Sequence, residues 1–253
     1  MSLQQDRIIT LQHMPTDIDL RSGAMILIDK PKEWTSFDVV NKLRHAIRHH
    51  LKVKKFKVGH SGTLDPMATG LLLLCVGKYT KLLHDLTAAN KTYSGTIKLG
   101  ATTPSYDAES DEDLTYPTDH ITDELLNEAA QSFEGGYAQV PPMFSAIKVG
   151  GQALYKLARR GESIDLKSRD IMINSFELNK IDNDQVDFFC ACGKGTYIRS
   201  LAYDLGKKVN SGGYLTALRR ESIEGYSVQN ALSLEVAVDW VRNVNLEAQI
   251  IPQ

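Results

Sequence analysis

The chain has 253 residues and a formal net charge of −2, and its apolar and charged fractions are those of an ordinary globular protein. A chain of this length can form one large domain or two small ones, and its core needs no disulfide or metal to be stable. No apolar run is long enough to span a membrane, and the first 21 residues carry charges and lack a signal-peptide core. We therefore expect a cytoplasmic protein without a membrane partner.

The three cysteines do not indicate a disulfide or a metal site. Cys75 lies inside an apolar run, and Cys190 and Cys192 are spaced to share one face of a strand. No further Cys/His pair completes a zinc site. We expect buried, reduced thiols, no metal and no cofactor.

The first half of the chain mixes predicted strands and helices. We expect a poorly ordered N-terminal tail over residues 1–24, a strand at 25–28 and a helix capped by Ser36. The apolar side of this helix comprises Phe37, Val39, Val40, Leu43 and Ile47. Strands at 71–76 and 91–100 flank a helix at 78–86, and the acidic block 107–113 lies in a predicted surface loop.

The second half continues the mixture. A helix is expected from Thr122 or Asp123 to Gly135-Gly136, and Gly150-Gly151 forms a turn before a short helix. Paired strands are predicted at 171–181 and 186–192, a helix at 197–209, a strand at 214–220 and a helix at 234–241. Strands and helices without strict alternation favour an α+β fold with a largely antiparallel sheet.

The stretch Gly59–Gly70 combines three glycines and a proline with one imidazole, His60, and one carboxylate, Asp65. Pro66 biases Asp65 away from helical geometry, and a buried strand follows directly. Loops presented by rigid strands are where catalytic groups concentrate. The same composition is also typical of an ordinary turn, and the residues alone leave both interpretations open.

A basic run precedes this stretch. It contains Lys42, Arg44, His45, Arg48, His49, His50, Lys52, Lys54, Lys55 and Lys57, without an acidic residue among them. Such a run is often only a solvated face. Because it leads into the Gly59–Gly70 stretch, it also fits salt-dependent contacts with phosphates.

The Gly59–Gly70 stretch resembles the active-site motif of the TruB-type tRNA pseudouridine synthases. Five further blocks resemble that family in the same order and extend the likeness over residues 25–225. They are Ile28-Asp29-Lys30-Pro31 with Thr35-Ser36, Lys91-Thr92-Tyr93, the segment Val140–Lys148, Gly195-Thr196-Tyr197-Ile198-Arg199, and Leu218-Arg219-Arg220.

The resemblance implies the pseudouridine synthase fold, a mixed and largely antiparallel sheet with flanking helices and a central RNA-binding cleft. Members of the family usually carry a C-terminal RNA-binding PUA domain. We expect residues 25–253 to form the catalytic domain, with no room for a full PUA domain. The implied reaction converts the T-arm uridine of tRNA, position 55, to pseudouridine, with tRNA as the partner of a monomeric enzyme.

The resemblance also implies roles for individual residues. Asp65 is the catalytic carboxylate beside the sugar of the target uridine. The target base leaves its stack, as bases must for chemistry within folded RNA. The other members of the site are His60 beneath the flipped nucleotide, Tyr93 stacked on the uracil, Tyr197, Arg199 paired with the aspartate, and Leu218 as an apolar wall. Without the resemblance, Tyr93 and Leu218 are ordinary core positions and Arg199 an ordinary solvated charge.

Two other functions remain open on the sequence. One is an RNA-binding or tRNA-folding chaperone in which catalysis is secondary, supported by the basic run and the stacking residues. The other is a hydrolase that uses His60, Ser61 and Asp65. Triads are normally assembled from separated segments, which argues against the second.

Overall fold

The computed structural model describes residues 3–182 and 184–245. The fold is α+β, with a large, mostly antiparallel sheet and several helices, as the sequence predicts. The chain divides into two compact units, with boundaries after Lys91 and after Leu218. The first unit combines the two outer parts of the chain, and the second is the middle part, Thr92–Leu218.

The elements follow one another in this order. The strands are β1 (Ile8–Ile9), β2 (Ala24–Lys30), β3 (Val58–His60), β4 (Thr69–Val76), β5 (Lys91–Leu99), β6 (Ala101–Thr102), β7 (Leu114–Thr115), β8 (Gly135–Gln139), β9 (Lys148–Val149), β10 (Gln152–Ala153), β11 (Arg169–Lys180), β12 (Gln185–Cys192), β13 (Gly213–Ile223), β14 (Tyr226–Ser227) and β15 (Leu232–Ser233). The α-helices are α1 (Ser36–His50), α2 (Leu83–Ala88), α3 (Asp123–Gln131), α4 (Leu154–Ala158), α5 (Ile198–Lys208) and α6 (Leu234–Asn243).

The first unit is built around β2 and β4, which pair antiparallel from Ala24↔Val76 to Lys30↔Gly70. Strand β1 runs parallel to β2, β3 pairs antiparallel with β4, and the last part of β13 runs parallel to β4. Alternate residues of β2 and β4 enter two different apolar clusters, and α1 and α6 contribute to one of them. Burial on both faces explains why both strands are continuous apolar runs.

Three predictions for the first unit need correction. Thr35, not Ser36, is the N-cap of α1, because its hydroxyl accepts the Asp38 N–H in a capping box. Phe37 is 62% exposed and does not belong to the apolar side of α1. The predicted helix at 78–86 is a 3₁₀ turn, Gly77–Leu82, followed by the short helix α2.

The predicted tail contains ordered contacts of its own. Ile8 and Ile9 pair with Met25 and Ile26 of β2, and Ile9 is fully buried. Leu20 is buried in the same cluster as the inner face of α1. This part of the chain therefore adds to the core of the first unit.

In the second unit, the strand order is β13-β5-β12-β11-β8, and β11 pairs antiparallel with both of its neighbours. Helix α3 packs against β11. Two predictions here are wrong. Gly135-Gly136 does not end α3, which stops at Gln131, but begins β8. Asp107 is not in a surface loop, because its side chain is only 1% exposed.

The three cysteines are buried, as the sequence predicts. Cys75, Cys190 and Cys192 are buried thiols that form no disulfide, and burial raises the pKa of the Cys75 thiol to about 12. None of the helices in the described part of the chain is long and apolar enough to cross a membrane. Within residues 3–182 and 184–245, no group of three His, Cys, Asp or Glu side chains is placed to hold a metal ion.

We expect Gly70→Ala to lower the free energy of unfolding by more than about 2 kcal/mol. Gly70 has φ +105°, and an added Cβ would lie 2.4 Å from the backbone oxygen and 2.6 Å from the backbone nitrogen of Arg220. Urea unfolding measures the change. The control is Gly225→Ala, whose φ of +80° is strained but whose Cβ would meet nothing within 4 Å. It should cost about 1 kcal/mol, and equal losses for the two variants would contradict the clash.

Candidate active site

The loop that carries Asp65 connects β3 to β4. The Asp65 loop, residues 61–68, starts at Ser61, whose N–H donates to the Leu73 carbonyl at 3.1 Å. It turns at Pro66, where the Ala68 N–H donates to the Asp65 carbonyl at 3.1 Å. The Asp65 side chain is half-buried. The strands on both sides therefore fix the ends of a short turn that presents one carboxylate.

Both neighbours of Asp65 are held by the segment that follows β2. The Leu64 N–H donates to Ser36 Oγ at 2.8 Å, and the Ser36 hydroxyl donates to the Leu64 carbonyl at 3.2 Å. On the other side, the Pro66 carbonyl accepts the Glu33 N–H at 2.8 Å. These bonds connect the Lys30–Ser36 segment with the Asp65 loop, two blocks that are separate in the sequence.

The buried side chain of Lys30 also connects the Lys30–Ser36 segment with the Asp65 loop. Its side chain is fully buried, and its ammonium donates to the carbonyls of Trp34 at 2.6 Å, Pro31 at 2.9 Å and Pro66 at 3.4 Å. A buried ammonium is costly unless its donors are bonded. These three carbonyls supply partners, so the charge fixes the backbone around it.

Arg220 holds the two ends of the loop. Its guanidinium is buried, with Nε donating to the Leu71 carbonyl at 2.7 Å and one terminal nitrogen donating to the Gly62 carbonyl at 3.2 Å. The adjacent Arg219 points elsewhere and makes a two-pronged ion pair with Asp29 at 3.1 and 2.7 Å. Arg220 was not among the predicted site residues, although it lies in one of the quoted sequence blocks.

His60 lies where β3 ends, at the entry to the loop, and is half-buried. Its Nδ1 accepts the Gly62 N–H at 3.2 Å, so the proton of the neutral ring lies on Nε2. Burial lowers the pKa of His60, and the positive charge of Arg220 adds to the effect. The ring is therefore an uncharged, flat side chain five residues before Asp65 in the chain.

The other four predicted site residues belong to the second unit. Tyr93 is on β5 and Leu218 on β13, and both are buried, at 8% and 7% exposure. Tyr197 is the N-cap of α5. Its N–H donates to Gln139 Oε1 at 2.8 Å, and its carbonyl accepts from Gln139 Nε2 at 3.1 Å. The buried amide of Gln139 thus sets the start of the helix that carries Arg199.

Arg199 is not a solvated charge, because only 5% of its side chain is exposed. Its guanidinium donates to the carbonyls of Ser105 at 3.0 Å and Phe144 at 2.8 Å, and Nε lies 3.5 Å from the Asp107 carboxylate. Asp107 also accepts the Ser105 hydroxyl at 2.6 Å. Asp107 was not predicted to be part of the site, because its acidic neighbours in the sequence are typical of a surface loop. The pairing of Arg199 with Asp65 stays a prediction.

Comparisons with known proteins find the same family that the sequence motifs resemble. The TruB family pseudouridylate synthase N-terminal domain matches residues 48–198. A tRNA pseudouridine synthase B of Flavobacterium johnsoniae is 52% identical over 213 residues, which are 84% of this chain and 93% of that protein. The chain belongs to the TruB family. A tRNA pseudouridine synthase B of Phocaeicola vulgatus is 46% identical over 92% of this TruB-family chain and 99% of its own length.

Solved structures show the same fold at lower identity. The chain matches a structure of a Cbf5-Nop10-Gar1 complex with a TM-score of 0.67 and 24% identity, over 94% of this chain and 60% of that one. It matches a structure of an H/ACA RNP bound to a substrate RNA containing 2'-deoxyuridine with a TM-score of 0.65 and 21% identity, over 96% of this chain and 64% of that one. At these identities the likeness is one of fold. Together with the family match, it confirms the predicted pseudouridine synthase fold.

Two buried serines beside the Asp65 loop give a matched test of its support. We expect Ser36→Ala to lower the free energy of unfolding by about 1–3 kcal/mol, because the Leu64 N–H loses its acceptor. Ser61→Ala should change it by less than about 0.5 kcal/mol, because the buried Ser61 hydroxyl has no hydrogen-bond partner among the described residues. Urea unfolding compares them. Similar losses in both variants would contradict the role given to Ser36.

The lowered pKa of His60 predicts a pH-dependent contribution to stability. An unfolded histidine titrates near pH 6.5, so as the pH falls the unfolded chain takes up this proton before the folded chain does. The contribution of His60 is therefore full above about pH 6.5 and is lost as the pH falls towards the lowered folded pKa. We expect His60→Asn to lose less stability than the wild type between pH 7.5 and 5 in urea unfolding. If the free energy of unfolding changed with pH in the same way for the variant and the wild type, the pKa of His60 would not be lowered in the folded protein.

Proposed function

We propose that this TruB-family chain is a tRNA pseudouridine synthase that isomerises the T-arm uridine at position 55 of tRNA. The relatives that match over nearly their whole length carry the name tRNA pseudouridine synthase B. The arrangement of the Asp65 loop supports the proposal most directly. It holds one half-buried carboxylate in a turn whose flanking residues are both hydrogen-bonded to a different segment.

Asp65 is the proposed catalytic residue. Breaking and remaking a glycosidic bond requires a carboxylate close to the sugar, as nucleophile or as stabiliser of positive charge. Such a group works only if it is held within a fraction of an ångström of its target. Ser36, Lys30 and the Glu33 N–H supply that restraint through Leu64 and Pro66.

The remaining residues of the proposed site bind the flipped nucleotide. An uncharged His60 ring can occupy the space that the base vacates at a smaller desolvation cost than an imidazolium. Tyr93 provides a rigid aromatic surface for the extruded uracil, and Leu218 an apolar wall. Tyr197 and Arg199 both lie at the start of α5. The Gln139 side chain holds this helix start in place through its two hydrogen bonds with the Tyr197 backbone.

Arg199 is proposed to pair with Asp65. Its buried guanidinium is oriented by Asp107 and by two backbone carbonyls. We further propose that residues 25–253 act as one catalytic domain, in a monomeric cytoplasmic enzyme that needs no cofactor.

The hydrolase alternative is not supported by the geometry. A serine nucleophile must donate a hydrogen bond to its base. The Ser61 hydroxyl has no such partner within the described residues, and His60 Nδ1 is already bonded to the Gly62 N–H. A Ser61→Ala variant should therefore retain the activity of the wild type.

The decisive experiment incubates the protein with unmodified tRNA and maps pseudouridine at single-nucleotide resolution. We expect one product at position 55 with the wild type and a rate at least about 10³-fold lower with Asp65→Ala. The control is Asp85→Ala, which removes an exposed carboxylate on α2 and should leave the rate unchanged. No product with the wild type would refute the proposal.

An Asp65→Asn variant separates catalysis from a chaperone function. We expect it to bind tRNA with wild-type affinity and to form no pseudouridine. If it refolds a misfolded tRNA as well as the wild type does, the protein has a second, RNA-folding function. Full pseudouridine formation by Asp65→Asn would contradict the assignment of the catalytic residue.

A further inference from the structure

The first unit has a cavity of about 530 Å³ at the end of α1, bordered by the segment that leads into β3. Five cationic side chains and one aromatic ring line most of it: Arg44, Arg48, Lys54, Lys55, Lys57 and Phe56. We call it the basic cavity. Among the described residues that line it, none is acidic.

The structure divides the basic run into members that line the cavity and members that do not. Arg44 and Arg48 are four residues apart on α1 and therefore share one face of the helix. Lys42 instead borders a different hollow, together with the acidic Glu33 and Asp38. Lys52 lines neither. If the basic run were only a solvated face, its cations would share no particular location. Instead, the fold places five of them around one cavity and leaves the others outside it.

Within residues 3–182 and 184–245, no ion pair neutralises the charges of the cations that line the basic cavity. Arg44 donates to the Asn41 side-chain oxygen at 2.9 Å and to the Val58 carbonyl at 3.2 Å, which are uncharged acceptors. The Lys54, Lys55 and Lys57 side chains are exposed. Like charges around one cavity repel each other, and a polyanion that enters the cavity would relieve that repulsion.

We infer that the basic cavity binds the sugar-phosphate backbone of the RNA substrate, beyond the target nucleotide. Strand β3 begins at Val58 in the cavity wall and ends at His60, about 7 Å further along the strand. A strand of RNA that places one nucleotide at the Asp65 loop has further phosphates within reach of these cations. The identity of the partner as RNA rests on the proposed function.

The test compares two double variants with the same loss of charge. Lys54→Gln/Lys55→Gln removes two cavity cations, and Lys42→Gln/Lys52→Gln removes two cations from the same run outside the cavity. Binding of unmodified tRNA is measured from about 50 to 200 mM salt. We expect the slope of log K against log [salt] to become less steep by about 2 in the cavity variant and by less than about 0.5 in the control.

The rate of pseudouridine formation at saturating tRNA should be the same in both variants and the wild type, because neither variant alters the Asp65 loop. Equal slope changes in the two variants, or no change in either, would overturn the inference and leave an ordinary solvated face. The slope of log K against log [salt] is a property of binding, so its measurement does not require a catalytically active protein. If the wild type forms no pseudouridine but the slopes differ as expected, the proposed function fails and the RNA-binding surface stands.

Discussion

The candidate site depends on the hydrogen bonds that hold Leu64 and Pro66, the two neighbours of Asp65. An eight-residue loop with one glycine and one proline does not hold one conformation by itself, because its glycine allows many. Ser36, at the start of α1, and the backbone of Glu33 restrict it from outside the loop. The position of the carboxylate is therefore set by the start of α1 and the segment before it as much as by the loop itself.

Buried cations fix the backbone within each of the two units. Lys30 and Arg220 donate to backbone carbonyls in the first unit, and Arg199 does so in the second. Each would cost several kcal/mol if buried without partners. Bonded to carbonyls, each one fixes two or more separate pieces of backbone. Replacing such a residue by an apolar one would remove the connections even where the volume is conserved.

On the surface, the positions of the charged side chains matter more than the net charge. The formal net charge of −2 indicates no preference for a polyanion, and sequence order alone places ten basic side chains in one run. Only part of that run lines the cavity beside β3. The separation of acidic and basic residues in space, rather than their sum, decides which surface can attract RNA.

The sequence by itself determined the family, the α+β class and most elements, because apolar periodicity and the glycine-rich motif are local signals. The strands β2, β4, β11 and β12 and the helices α1, α5 and α6 lie close to their predicted positions. Local composition was misleading where a distant partner decides the outcome. Phe37 fits the helical spacing of the apolar side yet is exposed, and Gly135-Gly136 begins a strand because β11 pairs with it.

Only the tertiary structure decided which charges are buried. Asp107 stands in an acidic block and Arg199 on a helix, and each would be solvated if its neighbours in the chain were its only neighbours. Their mutual ion pair, together with the hydrogen bonds to the carbonyls of Ser105 and Phe144, offsets the desolvation cost of burying Arg199. Partners 28 to 94 residues apart in the chain leave no local pattern, so the sequence could show the residue types of the site but not the bonds that hold them.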